Sequence, residues 1–517
     1  MQSDLKALEF DAVRRLLERL AATPYGAEAA RELTPAPSLS VAREMQAAVS
    51  AARQAVDAFQ APRFGHIPDV RAALRQASQP GAALAATALG NLRATMLLGE
   101  TLQQFVSQFP ELYRRAENWQ GPAELFELFE RMLSYANRLR DDATPELQAL
   151  HAELRGAQTA VEEALRARMR EPDIAAAFDE KSRPHWHGAR GVLAIRQSYV
   201  EQVKGVRRGT TGGGRDVLLE PMEVVALNNR LEVLSGQVEA QNQIALRAMT
   251  DRVREHLPQL NRLIDAIAWI DLALAAGQLS AAMNAAAPAL VDAPLVRLRQ
   301  AYHPHLLLQF RDKHIPTIRA LDISIDAKQP MMVITGPNTG GKTVVLKTVG
   351  LLVTMAHCGL HIPSEGDCEI GDFSRVVVDV GDKQSLYHHL STFAGHVEVL
   401  KRLLQQSDEK TLVLLDELGT GTDPEEGAAL AMAVLDELAR RGVHGIVTTH
   451  LPPLKAFAAT HPYLVNASMR FDHASMTPTY ELEPGVAGQS LGLLIAEKNG
   501  LPAELIANAR AFLQRLG

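Results

Sequence analysis

The octapeptide Gly336-Pro337-Asn338-Thr339-Gly340-Gly341-Lys342-Thr343 matches the pattern G-x-x-x-x-G-K-T in full, and its residue types describe one chemistry. Glycines let backbone N–H groups close around phosphate oxygens, where a side chain would obstruct them. A helix starting at that point adds its positive end. Lys342 has the length and charge to reach the β- and γ-phosphates of a nucleotide, and the Thr343 hydroxyl can ligate Mg²⁺. Two acids, Asp416 and Glu417, follow the apolar run Thr411-Leu412-Val413-Leu414-Leu415. Asp416 suits a Mg²⁺ shell, and Glu417 suits orienting or deprotonating an attacking water. Standing alone, such a pair is as readily a helix cap or a solvated loop. His450 closes Gly445-Ile446-Val447-Thr448-Thr449, where it could report on a γ-phosphate. Ser391, in Leu390-Ser391-Thr392-Phe393, reads by itself only as an N-cap.

These residues need strands to deliver them. Met331–Thr335 reads as a strand entering the phosphate loop, and Val344–His357 as the helix leaving it. Apolar runs at Leu412–Leu415 and Ile446–Val447 also end in small or polar residues and lead into helical stretches. That alternation after Pro294 implies a parallel sheet covered by helices, with ligands at the carboxyl edge of the strands. Upstream, the chain to about Glu171 is rich in Ala, Leu, Arg and Glu, and Leu147, Leu150, Leu154, Val161 and Leu165 are spaced for an amphipathic helix. Between Arg183 and Val225, β-branched residues and glycines, with Gly212-Gly213-Gly214 before Val217-Leu218-Leu219, predict a small β region of hairpins. Helical spacing returns from Ala226, with Leu227, Leu231, Leu234 and Val238 on one stripe. Long helices running out to a small β tip and back fit this order.

The stretches ITGPNTGGKTVVLKTVGLL, SLYHHLSTFAGH, LVLLDELGTGTDPEEGAALA, IVTTH, VNASMRFD and PTYELEPGVAGQSLG together resemble the MutS family of ABC-type ATPases. The likeness is to its second bacterial branch, which lacks mismatch-recognition domains. It extends upstream through LEPMEVVALNNRLEVL and the opening LEFDAVRRLL. The resemblance implies a multidomain α and α/β fold: a helical core or lever (1–183), a β-rich clamp insertion (184–225), the returning lever (226–292) and an ABC-type P-loop ATPase domain (293–517). It further implies a head-to-tail homodimer holding ATP and Mg²⁺ at the interface. Ser391 would then reach in trans to the partner's nucleotide beside the loop carrying Asp423, and the adenine side would fall near Ile318 and Tyr480. The Phe-x-Glu at Phe178-Asp179-Glu180 precedes the clamp region and reads as a helix end, not a mismatch wedge. The sequence stops at Gly517, where the branch usually continues into a coiled coil and an Smr nuclease domain. Nicking is accordingly not expected of these residues.

Charge sharpens the partner. The 517 residues carry a net charge of −7, which taken alone argues against a polyanion partner. From Lys181 to Arg215, however, eight basic residues face one acid, Glu201, a local +7 that leaves −14 for the remainder. Arg190, Arg196, Lys204, Arg207, Arg208 and Arg215, interleaved with Tyr199, Trp186 and glycines, suit contact with a phosphate backbone without base reading. His185 and His187 beside Trp186 read as surface, with no metal site. Two cysteines, Cys358 and Cys368, leave no disulfide framework and suit a reducing cytosol. The first residues lack a signal-peptide pattern, and no uncharged apolar run has the roughly 18 residues of a membrane span. The expected protein is a cytoplasmic ATPase that clamps branched or recombination-intermediate DNA and suppresses homologous recombination without reading mismatches. The alternatives are a ribosome quality-control ATPase gripping rRNA and splitting collided ribosomes, and a binding module that ATP merely locks.

Overall fold

The computed structural model describes the chain apart from residues 63, 114–120, 179–181, 213, 337–339, 381–391, 473–476, 489–492, 494–495, 498–499 and 517. Pro337, Asn338, Thr339 and Ser391 therefore lie outside the described residues, as do Lys181, Asp179 and Glu180. Contacts divide the chain into two compact units. One comprises Met1–Gly65, Leu102–Glu117 and Asp265–Gly517, so the first helices belong with the phosphate loop and not with the segments that follow them. The other comprises His66–Thr101 and Asn118–Ile264.

The first unit is built on a seven-stranded sheet, in spatial order Gln2–Ser3, Arg375–Asp379, Thr411–Leu415, His444–Thr448, Met331–Thr335, Leu464–Asp472 and Thr477–Pro484. All neighbours are parallel except the last pair, an antiparallel hairpin. The period-2 alternation of side chains sorts the central strands between two cores. Met332, Ile334, Leu412, Leu414 and Ile446 join Leu346, Val349 and Val353 of the helix Lys342–His357 on one face. Met331, Val333, Val413, Leu415 and Val447 join Ala431, Val434, Leu435 and Leu438 of the helix Pro424–Arg440 on the other. Burial on both faces explains why these strands are continuous apolar runs. Gly350 lets the helix Lys342–His357 settle closely, since a Cβ there would lie 2.4 Å from Leu8 and 2.6 Å from Leu414.

A second, four-stranded sheet, in the order Ala289–Val291, Glu369–Gly371, Val296–Ala301 and Leu321–Ile325, belongs to the same unit and was not anticipated from the sequence. The helix Leu257–Met283 is, among the described residues, the one long and apolar enough to cross a membrane by length and composition, and 67% of its most apolar window is buried. Its Leu272, Ala276, Leu279 and Met283 lie in the main core. Asp271 on the same helix, 1% exposed, accepts the Ala22 and Thr23 amides at 2.9 and 2.7 Å and the Thr23 hydroxyl at 2.6 Å, fixing the start of the helix Pro24–Arg31.

In the second unit the helices Pro145–Met169 and Met222–Glu255 pack along one another and carry a four-stranded antiparallel sheet. Its order is His185–His187, Arg190–Arg196, Asp216–Pro221, Gly205–Thr210. Thr144 caps the first helix through the Leu147 amide at 3.2 Å, with Pro145 at its opening position. Val161 and Leu165 of that helix meet Leu193, Ile195, Val217 and Leu219 of the strands in a small core. Tyr199 and Val200, read from the sequence as β, form a 3₁₀ turn at Gln197–Gln202.

Candidate functional site

Parallel registry brings three strand ends to one edge of the large sheet: Leu415 pairs with Val447, and Thr448 pairs with Ile334. Thr335 and Gly336, Asp416 and Glu417, and Thr448 to His450 therefore emerge side by side. Gly336 at φ 128° and Gly341 at φ 93° hold the loop in conformations that suit glycine, and the helix Lys342–His357 begins directly after Gly341.

The acids are tied to the loop by hydroxyls. Thr343 Oγ1 donates to Asp416 Oδ2 at 2.6 Å, and the Thr448 hydroxyl donates to Asp416 Oδ1. The same Thr448 oxygen accepts the Glu417 amide at 2.9 Å. One buried hydroxyl thus orients both acids, and Glu417 is held at φ 53°, a left-handed conformation uncommon outside glycine. The Leu418 amide donates to Thr448 O at 3.0 Å, fastening the next loop to the same strand. Lys342, 2% exposed, donates from Nζ to Gly336 O at 2.6 Å. Burial draws its ammonium below the ordinary lysine value, against the opposing pull of Asp416 and Glu417. His450 is exposed, two residues beyond the strand His444–Thr448. Asp423 caps the helix Pro424–Arg440 through the Glu425 and Glu426 amides at 2.9 and 3.2 Å.

Beside the loop lies a cavity of about 360 Å³ whose walls include Ile318, Gly341, Val344, Met469 and Tyr480. Ile318 and Tyr480 are thus brought together next to the phosphate loop. Tyr480 lies so close that a Cβ on Gly341 would approach its Cδ1 to 3.2 Å. The volume falls within the ordinary range of small-molecule sites.

Thr448 and Thr335 escaped the sequence reading. Thr335 Oγ1 accepts the Gly488 amide at 2.8 Å, and Lys455 Nζ donates to Gly488 O at 2.8 Å, so Gly488 is pinned beside the loop strand. The available signal was a strand closing on two threonines beside a strand closing on two acids.

On the β tip the six basic residues divide. Glu220, 0% exposed, accepts Arg190 Nη1 and Arg208 Nε at 2.7 Å each and Asn228 Nδ2 at 2.8 Å. Arg190 also bonds Asn229 and Glu232. Burial favours the neutral acid, but the three donors outweigh it and hold the Glu220 carboxyl below its ordinary range. Arg190 and Arg208 are thereby engaged inside the tip, whereas Arg196, Lys204, Arg207 and Arg215 are exposed. Arg207 pairs at the surface with Glu201 at 2.9 Å.

The family model of MutS domain V matches residues 332–517. The chain is 35% identical to the endonuclease MutS2 of Thermomicrobium roseum over 530 aligned residues, covering 98% of this chain and 65% of that protein. The chain belongs to the MutS family, and its relatives place it in the MutS2 branch. The MutS2 of Brevibacillus brevis is 34% identical over 98% of this chain and 64% of its own length. The putative endonuclease MutS2 of Bacillus subtilis is 31% identical over 99% and 65%. This MutS-family chain thus spans less than two thirds of the length of these relatives. Domain V is the ATPase domain of the family, and its match covers the phosphate loop, both acids and His450.

Proposed function

We propose that this chain is a Mg²⁺-dependent ATPase that closes as a homodimer around DNA, gripping the phosphate backbone with its β tip. The observation that carries the reading is the hydroxyl-linked set Thr343–Asp416–Thr448–Glu417 at the mouth of a glycine cradle. The donor set fits the metal: Thr343 and Asp416 offer two hard oxygens on adjoining elements, and phosphate oxygens and waters would complete the shell. Mg²⁺ when bound neutralises charge on the phosphoryl oxygens. Lys342 supplies a fixed positive charge to the same oxygens, the amides before the helix Lys342–His357 hold them, and Glu417 orients and deprotonates the attacking water. His450 and, across the dimer, Ser391 are assigned to the γ-phosphate, and Ile318 and Tyr480 to the base. The exposed cations Arg196, Lys204, Arg207 and Arg215 are assigned to DNA phosphates. Branched or recombination-intermediate DNA is the substrate that the family likeness favours. The word endonuclease in the relatives' names is said of those proteins and is not carried over to this chain.

Glu417→Gln tests the assignment. ATP turnover should fall by at least about 100-fold while ATP affinity stays near wild type. Undiminished turnover would remove Glu417 from the chemistry.

A further inference from the structure

One wall of the base cavity is a residue that the reading above leaves without a task. His303, at the N-cap of the helix Pro304–Arg311, lines the same 360 Å³ cavity as Ile318, Gly341 and Tyr480. It is 9% exposed. Its Nδ1 is sealed from solvent and has no hydrogen-bond partner among the described residues. With Nδ1 sealed, Nε2 is the ring nitrogen left to face the cavity that His303 lines. Two other polar groups on the wall have partners: the Thr348 hydroxyl returns to Val344 O at 2.6 Å, and Arg319 lies 4.0 Å from Glu481. Burial pushes the His303 ring down to about 4, with Glu9 pulling upward and His305 and Lys347 pushing further down. The imidazole is therefore neutral near pH 7 and carries one N–H. A buried acceptor without a partner is tolerated more readily than a buried N–H without one, so the proton belongs on Nε2.

We infer that His303 positions the nucleotide base, its Nε2–H donating into the cavity to N3 or N7 of the purine ring. This rests on the nucleotide-binding reading and adds a directional contact to a cavity otherwise lined largely by apolar surface. An apolar slot selects a flat ring by area alone. A single inward donor fixes which edge of that ring faces the wall, and an unfilled polar group disfavours ligands lacking the acceptor.

The test uses the full chain and titrates ATP, 3-deaza-ATP, 7-deaza-ATP and tripolyphosphate by calorimetry in the presence of Mg²⁺. His303→Phe keeps a flat ring and removes the N–H; His303→Gln keeps a donor. His303→Phe should bind ATP roughly 3- to 10-fold more weakly, with tripolyphosphate unchanged and His303→Gln partly restored. One deaza analogue should bind wild type as weakly as His303→Phe binds ATP, and lose nothing further in the variant. Equal affinity of wild type and His303→Phe for ATP overturns the inference. So does an equal loss for ATP and both deaza analogues, which would move the contact to N1 or the ribose, or an equal loss for tripolyphosphate, which would make His303 structural. If wild type binds neither ATP nor tripolyphosphate, the nucleotide reading falls and this inference with it.

Discussion

Stripping the arginines from Glu220 separates two kinds of positive charge on the β tip. Arg208→Met leaves Glu220 with Arg190 and Asn228; the double variant with Arg190→Met leaves a fully buried carboxylate with one neutral donor. Removing the partners of a buried charge costs about 3–5 kcal/mol. Arg208 is 32% exposed on its side chain, so water replaces part of its contribution and its single substitution falls below that range, at about 1–2 kcal/mol. Adding Glu220→Leu to the double variant should recover most of the loss, because apolar replacement of a whole buried ionic group is often neutral. The sign with pH follows from a lowered carboxyl: Glu220 stabilises the tip above its ordinary 4.5, and that contribution disappears as pH falls through the lower folded value. Amide exchange of the strands Arg190–Arg196 and Asp216–Pro221 reads the stability, and DNA titration across salt reads the contacts. Four exposed cations give a slope of log K against log salt of about −3.6, where six would give about −5.4. Arg196→Ala or Lys204→Ala should each make it shallower by about 0.9, and Arg208→Met should leave it unchanged. Intact exchange protection together with a shallower slope in Arg208→Met would refute the network and return Arg208 to the phosphate contacts.

Thr448→Val keeps the shape of the side chain and removes the hydroxyl that joins Asp416 to Glu417; turnover should fall on the order of 100-fold with ATP affinity nearly retained, and Thr448→Ser should restore it. A Thr448→Val protein turning over normally would separate the acids' geometry from catalysis. His361 accepts and donates between Ser280 and Ser50 at 2.8 and 2.9 Å, and burial pushes it down to about 4 from the ordinary 6.5. A lowered histidine stabilises above its unfolded pKa and loses that contribution as pH falls, so between pH 6.5 and 4 His361→Gln should flatten denaturant-derived stability by up to about 1.4 kcal/mol per pH unit. A slope identical to wild type would show that the ring is already protonated when folded.

The strands that carry the chemistry were legible because they are buried on both faces and punctuated by polar ends: Met331–Thr335 was read to the residue, and Thr411–Leu415 and His444–Thr448 within two. The β tip was legible from its glycines and β-branched residues. What escaped is non-local. Glu220 lies five residues beyond the last cation of the basic stretch, at the end of the apolar strand Asp216–Pro221, and only the antiparallel pairing of that strand turns it onto Arg190 and Arg208. Charge counted along a sequence cannot register a neutralising partner in the next strand. The sheet formed by Ala289–Val291, Val296–Ala301, Leu321–Ile325 and Glu369–Gly371 assembles strands from an 83-residue span, and no local period announces it.

The parallel pairing of Gln2 with Arg375 and Ser3 with Val376 carries a consequence for synthesis. Phe10, Val13 and Leu17 share one core with residues as distant in sequence as Leu412 and Met469. The first part of the chain to leave a ribosome therefore waits for most of the remainder. At about 5–20 residues per second the wait is roughly 20–75 s, during which the strand Gln2–Ser3 has no sheet to join. A tag at the amino terminus would sit at that edge of the sheet, and should slow maturation more than one placed at the far end.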